Sequence, residues 1–426
     1  MTRPEKFMKT KTFIILISVI FWFYNVGFAQ GIKQSVKIAL DNNDSLRSQK
    51  VLLDNSYQNF LIQRGSMLPN LSLSGTGSRS LNFDTNQDSD NYNISANSSY
   101  TLFDFGSLNA KKRSVLHLDN ASKLSFKKLE NDLILSVIKV HLELFKAIKI
   151  VKLYKSSIAI RKQQFLAVQN RFDLGEATKS ELLRSKASIS GAEAQLKVGQ
   201  ANVKKLRENY KALVGKVPEN PTLPQMRMKE PPLLETSVRI GLEKDLTLKV
   251  LMHEEKALRD ELSSLEKSRL PNVMLSGTLS YGDSQTLGNN SSSGRISLTS
   301  NLTLYSGGQK KAQIKIASNK LAAKAIDIVV RKKLLERDVT TKWMDLMALS
   351  SSAIAKQEEV NALNELYESI FEEWNLGGKT SLDTDQAYQN FLNSEVELVA
   401  TTTDILIAKF DLLSEMGTLR SELQIR

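Results

Sequence analysis

The feature that most constrains the fold of this chain is an internal duplication at a constant spacing of 202 residues. Leu68-Pro69-Asn70 returns as Leu270-Pro271-Asn272, and 271 − 69 is 202. The same offset relates Ser35-Val36 to Ser237-Val238, Leu102-Phe103 to Leu304-Tyr305, Leu174-Gly175 to Leu376-Gly377, and Val214-Gly215 to Met416-Gly417. Five motifs at one spacing predict that each half of the chain folds into the same unit.

A proline-rich segment separates the two copies. It contains Pro218, Pro221, Pro224, Pro231 and Pro232, and proline is excluded from helix interiors. We therefore predict a first repeat at 30–216, a linker at 217–232 and a second repeat at 233–426. In each repeat we expect a helix, a β-hairpin (69–104 or 271–306) and a long helical hairpin with its tip near 175 or 377.

Residues 1–29 have the pattern of a secretory signal peptide. Lys9 and Lys11 precede an apolar run at 13–24, and the small-residue site Gly27-Phe28-Ala29 follows, which predicts cleavage after Ala29. A membrane anchor helix is the alternative, but the run is shorter than the roughly 20 residues that a span needs. No later apolar run is longer, so we expect strands to make any later membrane crossing.

Apolar and polar residues alternate in two segments of each repeat, as they do in strands with one wet face. The apolar positions include Leu71 and Leu73, Tyr92 and Ile94, Leu275 and Leu279, and Ile296 and Leu298, and the positions between them are mostly Ser, Thr and Asn. The pattern predicts four strands in two hairpins. A small soluble sheet is the alternative, but its apolar face would need a cover that the flanking helices do not offer.

The remaining segments predict unusually long helices. Residues 107–174 contain neither Pro nor Gly, and a helix of that length extends for about 100 Å. Apolar residues of the following segment recur every seven positions, as Leu182, Ile189, Leu196, Val203 and Tyr210, and the second copy has Thr384, Phe391, Leu398, Ile405 and Leu412. A seven-residue period predicts left-handed antiparallel coiled-coil hairpins.

Four strands cannot cross a bilayer alone, because their open edges would leave backbone groups unpaired in hydrocarbon. Closure then needs further copies, and transmembrane barrels begin at about eight strands. A dimer supplies eight and a trimer twelve. An eight-strand barrel is filled by its own side chains, whereas the Ser, Thr and Asn face fits a wet lumen, so physics favours the trimer without excluding the dimer.

The residues that carry common chemistries are missing or scattered. The chain has no Cys, and His117, His141 and His253 are isolated from other metal-ligand or catalytic motifs, so we expect no enzyme, no cofactor and no metal site. The net charge is +12, but Lys and Arg are interleaved with Glu and Asp along helix faces. This pattern indicates solvated helices rather than a nucleic-acid partner.

Several short motifs resemble the TolC family of outer-membrane efflux proteins. They are the L-P-N sequence before each first strand, L-F-D-F-G and L-Y-S-G-G after each second strand, and the tip sequences Arg171-Phe172-Asp173-Leu174-Gly175 and Trp374-Asn375-Leu376-Gly377. These motifs occur in the same order and at a constant offset in both repeats, and the resemblance covers nearly the whole mature chain. The resemblance implies a mostly α fold: a homotrimer with a periplasmic α-barrel and one twelve-strand transmembrane β-barrel.

The same resemblance implies a function and its partners. The chain would be the exit duct of a tripartite efflux or type I secretion system in the outer membrane of a Gram-negative bacterium, in contact with outer-membrane lipid. A periplasmic adaptor and an inner-membrane pump of the RND or ABC type would be its partners. The rival interpretation from another class is a secreted coiled-coil structural or adhesion protein with a soluble β-hairpin domain.

The resemblance also implies which residues act at the helical tips. Those that would dock the adaptor are Arg171, Leu174, Gly175, Leu376 and Gly377, and those that would hold a closed gate are Glu181, Trp374, Lys379 and Asp383. Glu181 lies six residues after Gly175, and Asp383 lies six after Gly377. A further acidic gate position of the family falls on Gln386, so the resemblance implies an acidic ring in the lumen that is either weaker here or supplied by Asp385 instead.

Overall fold

The computed structural model describes residues 29–81, 89–218, 220–223, 230–284 and 289–424. The predicted signal peptide, except for Ala29, lies outside the described residues, as do parts of both hairpin loops and of the proline-rich linker. The signal peptide and its cleavage site therefore stay predictions.

The elements follow one another in the order that the duplication predicts. The first repeat contains β1 (Ala29–Gln30), α1 (Ile32–Asn42), α2 (Asp44–Gly65), β2 (Asn70–Ser80), β3 (Ser89–Phe103), α3 (Ser107–Asp173) and α4 (Lys179–Val214). After β4 (Asn220–Pro221), the second contains α5 (Leu234–Lys244), α6 (Leu246–Lys267), β5 (Asn272–Ser284), β6 (Asn289–Asn301), α7 (Gln309–Asn375), α8 (Ser381–Glu415) and the short α9 (Leu419–Glu422).

Corresponding helices match in length and position. The first helices have 11 residues each, the second 22 and the third 67. Their starting residues differ by the same offset, as in Ser107 and Gln309, where 309 − 107 is 202. The structure thus extends the duplication from five motifs to whole helices.

The four long strands form one antiparallel sheet in the order β2-β3-β5-β6. Each predicted hairpin is present, and β3 pairs with β5 to join the two repeats, with an irregularity between Thr101 and Phe103. The strands β2 and β6 form the two edges of this sheet. The prediction of four strands in two hairpins is confirmed.

The two faces of the sheet differ as the alternation predicts. Leu73 is 76% exposed and Ile296 85% exposed on the apolar face. On the opposite face, Ser hydroxyls form cross-strand hydrogen bonds, such as Ser74 with Ser95 at 2.9 Å and Ser276 with Ser297 at 3.0 Å. The apolar face therefore lies uncovered in the single chain, which a soluble sheet would not tolerate.

The helices form two long hairpins, α3 with α4 and α7 with α8, and these pack side by side. The larger apolar core joins α1, α3, α4, α8 and α9 around Ile138, Leu142 and Phe410. A second cluster around Leu335, Val339 and Leu412 joins α5, α7 and α8. Within the described part of the chain, no helix combines the length and apolarity that crossing a membrane requires.

A buried polar network attaches the linker to the first hairpin. His141 Nδ1 lies 3.2 Å from Ser35 Oγ, and the Tyr210 hydroxyl donates to the same oxygen at 2.6 Å. His141 Nε2 lies 3.0 Å from the carbonyl oxygen of Thr222. Burial lowers the pKa of His141, because a buried imidazolium is costly.

Candidate functional site

The candidate site is the end of the molecule where both helical hairpins turn. The first turn runs from the end of α3 to the start of α4, and Gly175 adopts φ 79° there. The N–H of Glu176 donates to the carbonyl of Arg171 at 2.8 Å, which closes the last helical turn. A left-handed residue with this reversed hydrogen bond ends a helix abruptly, and glycine adopts it without strain.

The second turn has the same construction 202 residues later. Gly377 has φ 85°, and the N–H of Gly378 donates to the carbonyl of Glu373 at 2.8 Å. Neither glycine has an atom within 4 Å of the position that a Cβ would occupy. The two tips therefore share one backbone geometry and face open space.

Reciprocal side-chain hydrogen bonds fix the start of each returning helix. Thr178 Oγ1 accepts from the N–H of Glu181 at 3.3 Å, and a Glu181 carboxylate oxygen accepts from the N–H of Thr178 at 2.8 Å. Thr380 and Asp383 repeat both bonds at 3.3 and 3.0 Å. These are capping boxes, which satisfy backbone donors that a helix start leaves unpaired.

The capping box also accounts for the ionisation of Asp383. Its pKa is lowered because the backbone N–H of Thr380 bonds to the charged form, followed by the Thr380 hydroxyl, with a further contribution from Lys379. The described ion pair of Lys379 is with Glu373, at 3.9 Å. Within one chain, the carboxylates of Glu181 and Asp383 thus hold helix starts, and Lys379 pairs with a different acid.

One arginine joins the two tips. The guanidinium of Arg171, near the end of α3, lies 4.3 Å from the ring centroid of Trp374. It also donates to the carbonyl oxygens of Trp374 at 3.1 Å and Asn375 at 3.2 Å, at the carboxyl end of α7. Cation–π attraction and the negative end of the α7 dipole both favour this position.

The other tip residues differ in exposure. Trp374 is 5% exposed because it lies between the two hairpins, whereas Leu174 is 75% exposed and Leu376 is 89% exposed. The structure therefore places the adaptor-docking candidates at the outer end of the tips and Trp374 inside the contact between them.

A second polar cluster lies further from the tips and was not identified in the sequence. Arg161 of α3 is 4% exposed and donates to Asp385 and Gln389 of α8 and to Ser188 of α4. Ser188 also donates to Asp385 at 2.7 Å. These contacts cross between the hairpins, so Arg161 is a buried cation that fastens one repeat to the other.

The arrangement assigns Asp385 and Gln386 to different environments. The Asp385 carboxylate bonds to Arg161 and Ser188, while the exposed Gln386 amide donates to Asn390 at 3.0 Å. Ser381, beside them, has a buried hydroxyl with no hydrogen-bond partner among the described residues. No spacing rule links Arg161 to Asp385 in the sequence, because 224 residues separate them.

The described residues contain no group of three or more His, Asp or Glu side chains arranged to hold a metal ion. His117 and His253 approach each other, with ring centroids 5.7 Å apart, in the contact between α3 and α6. Burial, together with Lys256 and then His117, lowers the pKa of His253.

Comparison with known proteins shows the family to which the chain belongs. The chain matches the family model described as Outer membrane efflux protein over residues 36–216 and 240–418, one segment in each repeat. It is 23% identical over 298 residues to the Outer membrane efflux protein BepC of Brucella suis biovar 1 (strain 1330), covering 69% of this chain and 65% of that protein. That share is slightly under two thirds of the length of BepC.

Two further comparisons extend over almost the whole chain. The Outer membrane protein TolC of Vibrio cholerae serotype O1 is 19% identical over 411 residues, covering 93% of this chain and 92% of that protein. The crystal structure of the outer membrane protein VceC from Vibrio cholerae superposes with a TM-score of 0.80 at 17% identity, covering 91% of this chain and 96% of that one. This structural likeness shows a shared fold.

Proposed function

We propose, from the premise that this chain belongs to the outer membrane efflux protein family, that three copies assemble into one exit duct through the outer membrane. The duct carries small molecules or proteins from the periplasm to the outside. Its twelve strands form one barrel, and its helical hairpins form a tunnel that extends about 100 Å into the periplasm.

The observation that carries this proposal is the four-stranded sheet. Its apolar face is uncovered, its other face is lined with Ser, Thr and Asn, and β2 and β6 leave two edges for other strands. An apolar face matches lipid, a polar face matches water, and edges that pair between copies satisfy the backbone. The family match favours this duct over a secreted adhesion protein.

A duct of this kind performs no bond chemistry, so the work of export belongs to its partners. We propose a periplasmic adaptor and an inner-membrane pump of the RND or ABC type, which supply the energy. The exposed tips at Leu174, Gly175, Leu376 and Gly377, with Arg171 beside them, form the surface for the adaptor.

Native mass spectrometry in detergent, followed by planar-bilayer recording, tests the assembly. We expect a trimer that inserts and conducts. A chain that stays monomeric and soluble without detergent would overturn the proposal and favour the adhesion protein.

Crosslinkers at Glu176 and Gly378 test the adaptor surface, because each residue lies next to the glycine of its tip. We expect both to capture a periplasmic adaptor that mass spectrometry identifies. A crosslinker at Asn220, in the linker, is the matched control. Capture from Asn220 alone would move the docking surface away from the tips.

We further propose that Glu181, Trp374, Lys379 and Asp383 hold the tips in a closed arrangement. Trp374 does so through Arg171, and the carboxylates do so by fixing the starts of α4 and α8. Exposed ion pairs contribute only about 0 to 1 kcal/mol each, but threefold symmetry repeats them. Lys379 and its carboxylate neighbours therefore act as a set.

Replacement of Lys379 and Glu181 by glutamine together should raise single-channel conductance. High salt should produce part of the same increase in the unmodified protein by screening. Lys33→Gln, on α1 and far along the chain from the tips, is the control. Unchanged conductance at both salt concentrations would show that Trp374 and Phe172 hold the tips by packing.

A further inference from the structure

Among the side chains that the structure describes, the polar face of the sheet carries one that is charged. This face presents the even-numbered residues of β2 and β5, the odd-numbered residues of β3 up to Thr101, and the odd-numbered residues of β6; the irregularity after Thr101 places Phe103 opposite Val273 on the apolar face. Among those whose side chains the structure describes, all are Ser, Thr or Asn except Met274, Gly282 and Arg295. Arg295 lies at the midpoint of β6, which runs from Asn289 to Asn301.

No carboxylate among the described side chains of this face lies near Arg295. Its cross-strand neighbours are Thr278, then Asn97, then Ser72, and the structure gives it no ion pair among the described residues. Because β6 is an edge, its other neighbour in a closed barrel is β2 of another copy. Every even-numbered residue of β2 is Asn, Ser or Thr, so no register of that pairing supplies a negative charge.

The rest of the sheet shows that this charge is specific to its position. The residue 202 positions earlier is Asn93, so the first repeat has a neutral side chain at the equivalent site. The other described strand arginine, Arg79, lies on the apolar face, with its Nε 3.8 Å from an Asp90 carboxylate oxygen. Arg79 thus has a carboxylate beside it on the apolar face, whereas no carboxylate among the described residues lies beside Arg295.

We infer that Arg295 is a selectivity residue of the duct, and that three copies form a ring of positive charge that favours anionic solutes in the barrel. This inference rests on the proposed trimeric duct. Rings of Arg or Lys select for anions in pores, as rings of Asp or Glu select for cations. The solutes that fit are carboxylates, phosphates and sulfates, which guanidinium groups bind well.

The dimensions of the barrel make such a ring effective. Twelve strands about 4.8 Å apart and tilted by about 40° close a barrel about 24 Å across, so its axis lies about 12 Å from the backbone. The arginine side chain shortens that distance. The electrostatic potential of a charge extends over a Debye length of about 10 Å at 0.1 M salt and further at lower salt. Every solute that passes through the barrel at low salt is therefore close enough to the arginine ring to be attracted or repelled by it.

Reversal potentials of the trimer in a tenfold KCl gradient at low ionic strength test the inference. Arg295→Asn gives the second repeat the residue of the first and should lower the anion-to-cation permeability ratio by about twofold or more. Arg295→Glu should lower it further, and Arg295→Lys should preserve it. The matched control is Arg79→Asn, which removes the same charge from the opposite face and should leave the ratio unchanged.

The outcomes separate this inference from the proposed function. A conducting trimer whose permeability ratio is the same with Arg, Asn and Glu at 295 would overturn the selectivity role and leave the duct intact. An equal shift in Arg79→Asn would also overturn it, because the effect would then not depend on the face. A protein that never conducts would overturn the duct itself, and the ring with it.

Discussion

The two repeats attach the linker to their long helices with different rings at equivalent positions. His141 in the first repeat lies 3.0 Å from the carbonyl oxygen of Thr222, and Trp343 in the second donates to that of Pro232 at 3.1 Å. Their numbers differ by the repeat offset, as 343 − 141 is 202. The duplication has kept a ring N–H at this position, but only the histidine responds to pH.

The starts of α2 and α6 show a second difference of the same kind. Asn43 caps α2 by accepting from Leu46, and Asp245 caps α6 by accepting from Leu248. The carboxylate of Asp245 is also paired with Arg331, whose counterpart in the first repeat is Leu129. The cap is shared, while the second repeat has added an ion pair to it.

In the polar cluster around Arg161 the difference becomes a contact between repeats. Arg161 corresponds to Leu363, and its partner Asp385 corresponds to Leu183. The first repeat thus supplies only the cation and the second only the anion. The backbone turns and helix caps are therefore the same in both repeats. The buried polar contacts differ between the repeats, and they determine which hairpin packs against which.

The largest expected effect comes from giving Arg161 the residue of its counterpart. Arg161→Leu leaves Asp385 without its cation and should reduce the free energy of unfolding by about 3 kcal/mol. This is the lower end of the range of about 3 to 5 kcal/mol for removing one partner of a buried ion pair, because the Asp385 side chain is 33% exposed. Urea unfolding of the purified protein, followed by its helical circular dichroism, measures this.

Arg161→Leu combined with Asp385→Leu makes both positions match their counterparts. The double variant should lose less stability than Arg161→Leu alone, because no unpaired charge remains. A double variant as unstable as the sum of the single variants would show that the contact between repeats does not depend on this pair.

The second effect concerns two glycines at equivalent turns. Gly215 and Gly417 both have positive φ, 87° and 66°. A Cβ on Gly417 would lie 2.9 Å from the carbonyl oxygen of Lys244, whereas the nearest atom at Gly215 is Asn42 Cβ at 4.0 Å. Gly215→Ala should cost about 1 to 2 kcal/mol for the left-handed backbone, and Gly417→Ala more, because backbone must also move.

Thermal unfolding of the two alanine variants side by side checks this difference, and each serves as the control for the other. Equal losses would mean that the carbonyl of Lys244 moves away without cost, and that the two turns are equivalent in energy as well as in shape.

The third effect is a pH dependence that only the first linker contact has. Burial lowers the pKa of His141, while the unfolded chain keeps a value of about 6.5. The unfolded state therefore binds the proton first as pH falls, so the contribution of His141 to the free energy of unfolding should be constant above pH 7 and decrease below about 6.5. Trp343 has no such titration.

Unfolding at a series of pH values measures this in the unmodified protein and in His141→Gln, which keeps an N–H donor for Thr222. The variant should lose part of the decrease, and His141→Gln with His253→Gln should lose more, because the pKa of His253 is lowered too. Identical pH profiles for all three proteins would contradict the role given to His141.

The smallest effect tests what the repeats share. Thr178→Ala and Thr380→Ala each remove a capping hydroxyl, and each should cost about 1 kcal/mol. Urea unfolding should give nearly equal losses, because the hydrogen-bond lengths at the two caps agree within 0.2 Å for the paired backbone bonds. Clearly unequal losses would show that one tip has a further contact that depends on its threonine.

What could be predicted from the sequence follows from the range of the interactions. The strands, the long helices and the turns at Gly175 and Gly377 depend on local periodicity and backbone preference, and all are in the structure. The mostly α fold with four strands is confirmed, and the family match supports the resemblance. The domain boundaries within the linker stay predictions.

The side-chain contacts of the candidate site were harder to predict from the sequence, because tertiary packing determines which side chains meet. In the sequence, Arg161 cannot be distinguished from a solvated helix residue, because its partners Asp385 and Gln389 lie on α8. Glu181 had a local signal of its own, since Thr178-x-x-Glu181 is a capping-box pattern, and Thr380 with Asp383 repeats it. That pattern identifies the capping contacts, while the proposed gate depends on contacts that a single chain does not contain.

The equal lengths of α3 and α7 have a consequence for how this protein changes over evolutionary time. Both 67-residue helices are fastened at each end: Ser107 and Lys310 bond to the end of α6 near the sheet, and Arg171 joins the tips. An insertion or deletion in one helix alone would break one of these ends. The length of the two hairpins can therefore change without breaking these contacts only when matching insertions or deletions are made in all four long helices.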